Sequence, residues 1–411
     1  MSKFVIVAPF WRQPAHVGNY RVDRFIRWLS ERGDEVVVIR GGERDHEDAT
    51  PWGIEVTVRD PLGFYPERRP SSDAPARRPN RLRRAAAVWI FNPDPSIIWA
   101  HLAVKNATVL RHSEGARWVV SSSPPESPHV AAAQLARNLK ADLLIDMRDG
   151  WLDEPLKPLL HTSALRRWRE GRLESRILRQ ARCILVTSDI WREMLEARLP
   201  FTRGKTVVLR NAYPQAIDRP VSTKSTNNPL RLLHAGRLRG SSQSRCAALL
   251  LDPLEAAISS NGPATGTLTF LGQLSREDQS ELSVYENRFE KRGWQLEIQS
   301  VVPREQMLSE LFAASGLLLL SASQAAIPSK TFEYISTGKP VLAACPEGSA
   351  VWRMASELPQ FFPVDYNNPE RAAATARAFL NRCQAGGGSF EIPDRYSERY
   401  LKEVFLGQVS G

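Results

Sequence analysis

Residues 327–340 read Ile-Pro-Ser-Lys-Thr-Phe-Glu-Tyr-Ile-Ser-Thr-Gly-Lys-Pro and hold the sharpest chemical constellation of the sequence. Pro328 presets the dihedral of a first helical turn, and Gly338 followed by Pro340 is a stop signal, so a short helix is expected. Lys330 falls in its first turn, with Thr331 beside it, where unpaired backbone N–H groups and the helix dipole favour an anion. A cation there is electrostatically misplaced unless an anion sits between it and the helix end. Glu333, three residues on, shares that face and could accept hydrogen bonds from ribose hydroxyls. The same two residues could instead form an ordinary surface Lys–Glu pair, worth roughly a few tenths of a kcal/mol.

A second loop carries complementary chemistry. The apolar stretch Arg231–His234 runs into Ala235-Gly236-Arg237-Leu238-Arg239-Gly240, then Ser241–Ser244 and Arg245. Glycine lets a backbone approach a pyrophosphate, and guanidinium contacts it in bidentate fashion. A solvated basic loop is the plain alternative. Further upstream, Ser121-Ser122-Ser123-Pro124-Pro125-Glu126-Ser127-Pro128 leads to His129 at an expected helix start, either facing a ligand or serving as a satisfied structural histidine. The charges of Asp146-Met147-Arg148-Asp149 face the same choice between a site and an internal ion pair.

The familiar nucleotide and hydrolase motifs are missing. The loop after the first strand has only Gly18, so no three-glycine dinucleotide fingerprint exists. Gly204-Lys205-Thr206 resembles a P-loop tail, but Leu199 takes the place of the first glycine. No HExxH, GxSxG or cysteine–histidine metal spacing occurs, and no metal is expected.

The elements that must position these residues alternate strand and helix. Phe4–Ala8 reads as a strand. Asn19–Arg32 reads as a helix with Val22, Phe25, Ile26 and Leu29 on one stripe, and Gly33 ends it before the strand Glu35–Ile39. The grammar returns at Trp118–Ser121, Asp142–Asp146, Cys183–Thr187 and Thr206–Leu209. It then starts again at Arg231–His234, Thr267–Leu271, Leu296–Val301, Gly316–Leu320, Val341–Ala344 and Phe361–Val364. Short strands apolar on both faces, with helices between, mean parallel sheets covered on each side. With 411 residues, the expectation is an α/β fold of two doubly wound domains, 1–215 and 216–393, divided near the polar stretch Val221–Asn228. A C-terminal helix at about 394–411 is expected to pack back on the first.

Composition bounds the function. Apolar residues make up 42% and charged residues 24%, the balance of a globular chain, and no apolar run approaches a membrane span. Four scattered cysteines read as buried thiols, and the chain is expected to be cytoplasmic. An excess of 55 basic over 45 acidic residues, net +10, suits partners bearing phosphate. Between Pro61 and Arg84, seven arginines and five prolines predict a long exposed loop, with Val88, Trp89, Ile90 and Phe91 after it.

Together these pieces resemble the GT-B nucleotide-sugar glycosyltransferases, particularly the retaining family-4 type that builds bacterial cell-surface glycans. The resemblance implies two Rossmann-like domains facing a cleft, with the donor mainly on the second. It implies that Arg237 and Lys330 are the diphosphate-binding, catalytic cations and that Glu333 holds the nucleotide ribose. Gly18 would approach the donor, His129 would lie near the transferred sugar as a catalytic residue, and the turn Val301-Val302-Pro303 would meet the base. Gly236 and Thr331 belong to the same donor site, and Arg245 could replace a lysine usual after Arg237. One departure stands out: a glutamate that contacts the donor hexose in many members is Ala325 here. No cofactor is implied beyond the donor itself. Acceptors of such enzymes are glycans or polyprenyl-linked sugars, so the Arg68–Arg84 loop could dock on an anionic membrane surface, making the protein peripheral. The alternatives are a nucleotide-sugar 2-epimerase or hydrolase, which needs carboxylates the chain lacks, and a nucleic-acid-binding protein, for which only the charge speaks; no nucleic acid is expected.

Overall fold

The computed structural model describes residues 1–13, 18–66, 91–153, 163–212, 229–238, 246–259, 265–365, 367–386, 390 and 392–410. The expected Arg68–Arg84 loop, the stretch 221–228, the domain boundary at 215–216 and Arg245 lie outside the described residues. The chain divides into two compact units, one of Met1–Thr187, Trp191–Leu209 and Lys402–Gly411, the other of Ser188–Ile190 and Arg210–Leu401.

The first unit holds one sheet in the order β3-β4-β2-β1-β5-β6-β7-β8. Its strands are β1 (Lys3–Val7), β2 (Glu35–Gly42), β3 (His46–Thr50), β4 (Gly53–Arg59), β5 (Trp118–Ser123), β6 (Asp142–Met147), β7 (Cys183–Val186) and β8 (Thr206–Val208). All neighbours are parallel except β3 against β4. Val36–Ile39 and Phe4–Val7 are fully buried, as apolar strands covered on both faces must be. The helices are α1 (Asn19–Glu31), α2 (Ile97–Lys105), α3 (Ala107–Ser113), α4 (Ser127–Leu139), α5 (Ala164–Gln180) and α6 (Asp189–Arg198). The expected α1 stripe of Val22, Phe25, Ile26 and Leu29 is buried, and Gly33 follows the helix at φ +85°.

Hairpin β3–β4 was not expected. On β4, Glu55, Val56, Thr57 and Val58 are all buried, and the two polar residues interrupt the apolar run that marks the other strands. The unit also takes in the chain's last helix, whose Phe405 stacks on Phe25 at 4.5 Å and meets Trp28 at 5.7 Å.

The second unit has a six-stranded, wholly parallel sheet in the order β11-β10-β9-β12-β13-β14. Its strands are β9 (Leu230–Ala235), β10 (Gly266–Leu271), β11 (Trp294–Gln299), β12 (Gly316–Leu320), β13 (Val341–Ala344) and β14 (Phe361–Val364). The helices are α7 (Cys246–Ser259), α8 (Arg276–Glu290), α9 (Arg304–Ala313), α10 (Lys330–Thr337), α11 (Ala350–Ala355) and α12 (Pro369–Gln384); the last helix, α13 (Glu398–Gln408), belongs to the first unit from Lys402 onward. Two apolar clusters cover the sheet, one built on Leu232, Leu268, Phe270 and Leu318, the other on Leu317, Leu319, Phe332 and Ile335.

The buried charges of the first unit are paired. Arg21 and Asp146 are 4% and 0% exposed, and Arg21 donates from Nε to both carboxylate oxygens at 2.9 Å. Ser122 adds a hydroxyl donor to Asp146 at 2.8 Å, and the Leu209 carbonyl takes Arg21 Nη2 at 2.9 Å. Thus the Asp146 charge belongs to an internal ion pair. Removing one partner strands the other, so Asp146→Asn should cost about 3–5 kcal/mol in urea unfolding, whereas an apolar replacement of both restores much of that loss.

Candidate functional site

Lys330 is the first residue of α10, directly after Ser329, and Gly338 ends that helix at φ +65°. The ammonium turns back onto the end of β9. It donates to His234 Nε2 at 3.0 Å and to the carbonyls of Ala235 at 2.9 Å and Arg237 at 3.3 Å. All three ammonium donors are therefore engaged by a single turn.

His234 is fully buried, and its Nδ1 lies 2.9 Å from the Leu318 carbonyl of β12. Nε2 faces the Lys330 ammonium at 3.0 Å and, farther off, the Arg237 carbonyl at 3.3 Å; an ammonium only donates, so Nε2 offers it a lone pair and Nδ1 carries the proton to Leu318. Burial, reinforced by the Lys330 charge, pushes this imidazole well below its usual range, consistent with that neutral tautomer. Desolvation likewise pulls the Lys330 ammonium down to about 7, against an opposing pull from Glu333. The fully buried Tyr334 ties the same strands: its hydroxyl accepts the Ala235 N–H at 2.8 Å and reaches the Leu318 carbonyl at 3.4 Å.

Glycines shape the turn. Gly236 has φ +90°, a conformation that L side chains rarely adopt, and a Cβ on Gly272 would come within 2.9 Å of the Gly236 Cα. The turns after β9 and β10 can abut only because Gly272 lacks a side chain. Arg237 presents its guanidinium to solvent with a 3.4 Å contact to Gln273 Oε1, while its carbonyl faces Lys330.

Glu333 is 19% exposed and pairs with Arg304 at 2.9 Å. Burial raises its carboxyl, and Arg304 and then Lys330 oppose that rise. Arg304 opens α9 immediately after Val302 and Pro303, so the turn expected to meet a base supplies the partner of the expected ribose carboxylate. Thr331 is buried, and its hydroxyl has no hydrogen-bond partner among the described residues. The structure therefore brings Gly236, Arg237, Lys330, Thr331, Glu333, Val302 and Pro303 to one end of the second sheet. Sequence reasoning passed over His234, Arg304 and Tyr334; a histidine inside a buried parallel strand was the available signal for the first.

Gly18 and His129 belong to the first unit. Gly18 precedes α1, and a Cβ there would lie 2.4 Å from Arg148 Nη1 and 2.6 Å from Phe10 Cε2. Arg148 stacks on Phe10 at 4.7 Å and donates to the Ser123 and Pro124 carbonyls at 2.7 and 2.8 Å. His129 is fully buried on α4, with Nδ1 at 2.7 Å from the Ser121 hydroxyl and its ring 5.9 Å from Trp151. The start of that helix is closed by Asp94, which accepts from the backbone N–H groups of Glu126 and Ser127, both at 2.9 Å. Among the described residues no cluster of three His, Cys, Asp or Glu is placed to hold a metal.

Comparison with known proteins defines the class. Residues 18–212 match the model of the glycosyl transferase 4-like domain. HepE of Anabaena, solved with UDP and glucose, superposes with a TM-score of 0.59 at 13% identity over 100% of both chains. The lipopolysaccharide outer core galactosyltransferase WaaB follows with 0.56 at 13% identity over 100% of this chain and 99% of that one. A trehalose-6-phosphate structure from E. coli with UDP-2-fluoro glucose gives 0.62 at 11% identity over 99% of each. No curated protein matches the sequence. The architecture is the GT-B fold, and the chain carries a domain of the glycosyl transferase 4-like family. The matched domain and the fold are both of the glycosyltransferase kind.

The Lys330–His234 contact is testable without a ligand. The pH dependence of Lys330 acylation, followed by peptide mapping, should show a midpoint near 7. In His234→Phe the ammonium loses an acceptor and the midpoint falls further; an unchanged midpoint would refute the contact.

Proposed function

We propose that the second unit binds a nucleoside-diphosphate sugar and that the enzyme transfers the sugar, with retention and without a metal, to a glycan or lipid-linked acceptor in surface polysaccharide or glycoconjugate biosynthesis. The observation that carries this reading is the Lys330 ammonium, held at the start of a helix by the glycine–arginine turn of a parallel strand. UDP and a UDP-sugar analogue in the solved neighbours support the donor class, and the galactosyltransferase WaaB supports the kind of acceptor.

Breaking a glycosyl–phosphate bond places negative charge on the departing diphosphate. Lys330 would exchange its longest contact, the Arg237 carbonyl at 3.3 Å, for a phosphate oxygen, and the exposed Arg237 guanidinium would close over the second phosphate. Glu333 would exchange Arg304 for ribose hydroxyls. Retention follows from attack on the same face as the leaving group, whose phosphate oxygen takes the acceptor proton.

Thermal-shift measurements with uridine, guanosine, thymidine and adenosine diphosphates and their sugars test the reading. One nucleotide series should stabilise the protein, and Lys330→Ala or Glu333→Ala should abolish that shift while leaving the unliganded transition in place. If no nucleotide stabilises the wild type, the proposal fails.

Protonation offers a second test. The Lys330 value falls from 10.5 to about 7 on folding, so its contribution to stability is complete above 10.5 and is lost as the pH drops through about 7. A bound diphosphate favours the charged form and raises that value again. Affinity should therefore weaken as the pH rises above 7, by at most about tenfold per unit. Calorimetry at pH 8 in buffers of different ionisation enthalpy should show proton uptake, absent in Lys330→Ala.

A further inference from the structure

Helix α5 turns its charges inside out. It carries Arg166, Arg167, Arg169, Arg172, Arg176 and Arg179 against two carboxylates, Glu170 and Glu174, and both carboxylates point inward. Glu170 accepts from Arg166 Nε at 2.8 Å and from Trp151 Nε1 at 3.1 Å; Glu174 takes two nitrogens of Arg198 at 2.6 and 2.9 Å. At about 100° per residue, Leu165, Trp168, Arg169, Arg172, Arg176 and Arg179 fall within an arc of about 100° on the opposite side. All six are exposed, Leu165 at 67% and Trp168 at 57%.

None of the four arginines on this stripe makes an ion pair with a described residue. Arg172 lies over the Trp168 ring at 5.0 Å and Arg179 over Phe201 at 4.0 Å. Among the described residues the face is therefore a row of guanidinium charge without acidic partners, about 20 Å long, with two large apolar side chains at its N-terminal end.

We propose that this face of α5 docks the enzyme on a membrane surface rich in anionic phospholipid. Guanidinium groups take the headgroup phosphates, and Leu165 with the indole of Trp168 enters the interfacial layer, the depth such side chains prefer. Duplex nucleic acid would satisfy the arginines but offers Leu165 and Trp168 no apolar phase. The argument uses no residue of the Arg68–Arg84 stretch and does not rest on the donor reading.

Flotation of the full chain with phosphatidylcholine vesicles, alone or with roughly 30% phosphatidylglycerol, tests the proposal at low and physiological salt. The wild type should float only with the anionic vesicles, and less so as salt rises. Arg169→Gln, Arg172→Gln, Arg176→Gln and Arg179→Gln combined should lower partitioning by more than about tenfold, and Leu165→Ser with Trp168→Ser by several-fold. All six side chains are exposed, so these variants should keep the wild-type melting temperature and nucleotide-induced shift, which separates this test from that of the donor. The proposal is overturned if the wild type ignores anionic vesicles or if the α5 variants bind like wild type. It is equally overturned if serine replacements of Arg77, Arg78 and Arg81 alone abolish binding, or if duplex DNA outcompetes the vesicles at equal salt.

Discussion

An ammonium removed from bulk water must find three acceptors, and in this protein a single strand end supplies them to Lys330. That requirement organises the candidate donor site. It keeps His234 neutral, with its proton on Nδ1, because only the lone pair of Nε2 can face a cation. It turns the Ala235 and Arg237 carbonyls inward, which the left-handed Gly236 permits. It also sets the helix start of α10 against β9, where Tyr334 completes the join. The same arrangement leaves the ammonium poorly solvated, hence easily discharged and ready to take an incoming anion as a better partner.

Much of this was legible from residue order, and the exceptions have physical causes. Pro328 and Gly338 bracket a helix because their backbone preferences are local. Strands such as Val341–Ala344 show themselves because burial on both faces demands continuous apolar runs. Hairpin β3–β4 escaped because β3 is exposed nearly throughout and the buried Glu55 and Thr57 break the apolar run of β4. His234 escaped because its role comes from a residue far along the chain. The Arg304–Glu333 pair escaped for the same reason: the sequence shows a carboxylate suited to ribose but not the guanidinium it meets. Local chemistry reads directly; partners brought together by topology do not.

Charge placement in the first unit follows one rule at several depths. Asp146, Glu174 and Glu55 are almost fully buried, and each is matched by arginine: Arg21, Arg198, and Arg40 with Arg12. Carboxylates that face inward cannot balance charge at the surface. The modest net charge of +10 thus understates how basic the outward face of α5 is. Overall composition is a poor guide to local potential when one sign is preferentially internal.

The stacking of Phe405 on Phe25 joins a helix that precedes the second unit in the chain to one that follows it. While the ribosome is still translating the second unit, the aromatic side of α1 has no cover, although the sheet beneath it can already form. Completion of the first unit thus waits until Phe405 has been translated. Until then, Phe25 and Trp28 offer nascent-chain chaperones an apolar handhold that disappears once Phe405 emerges.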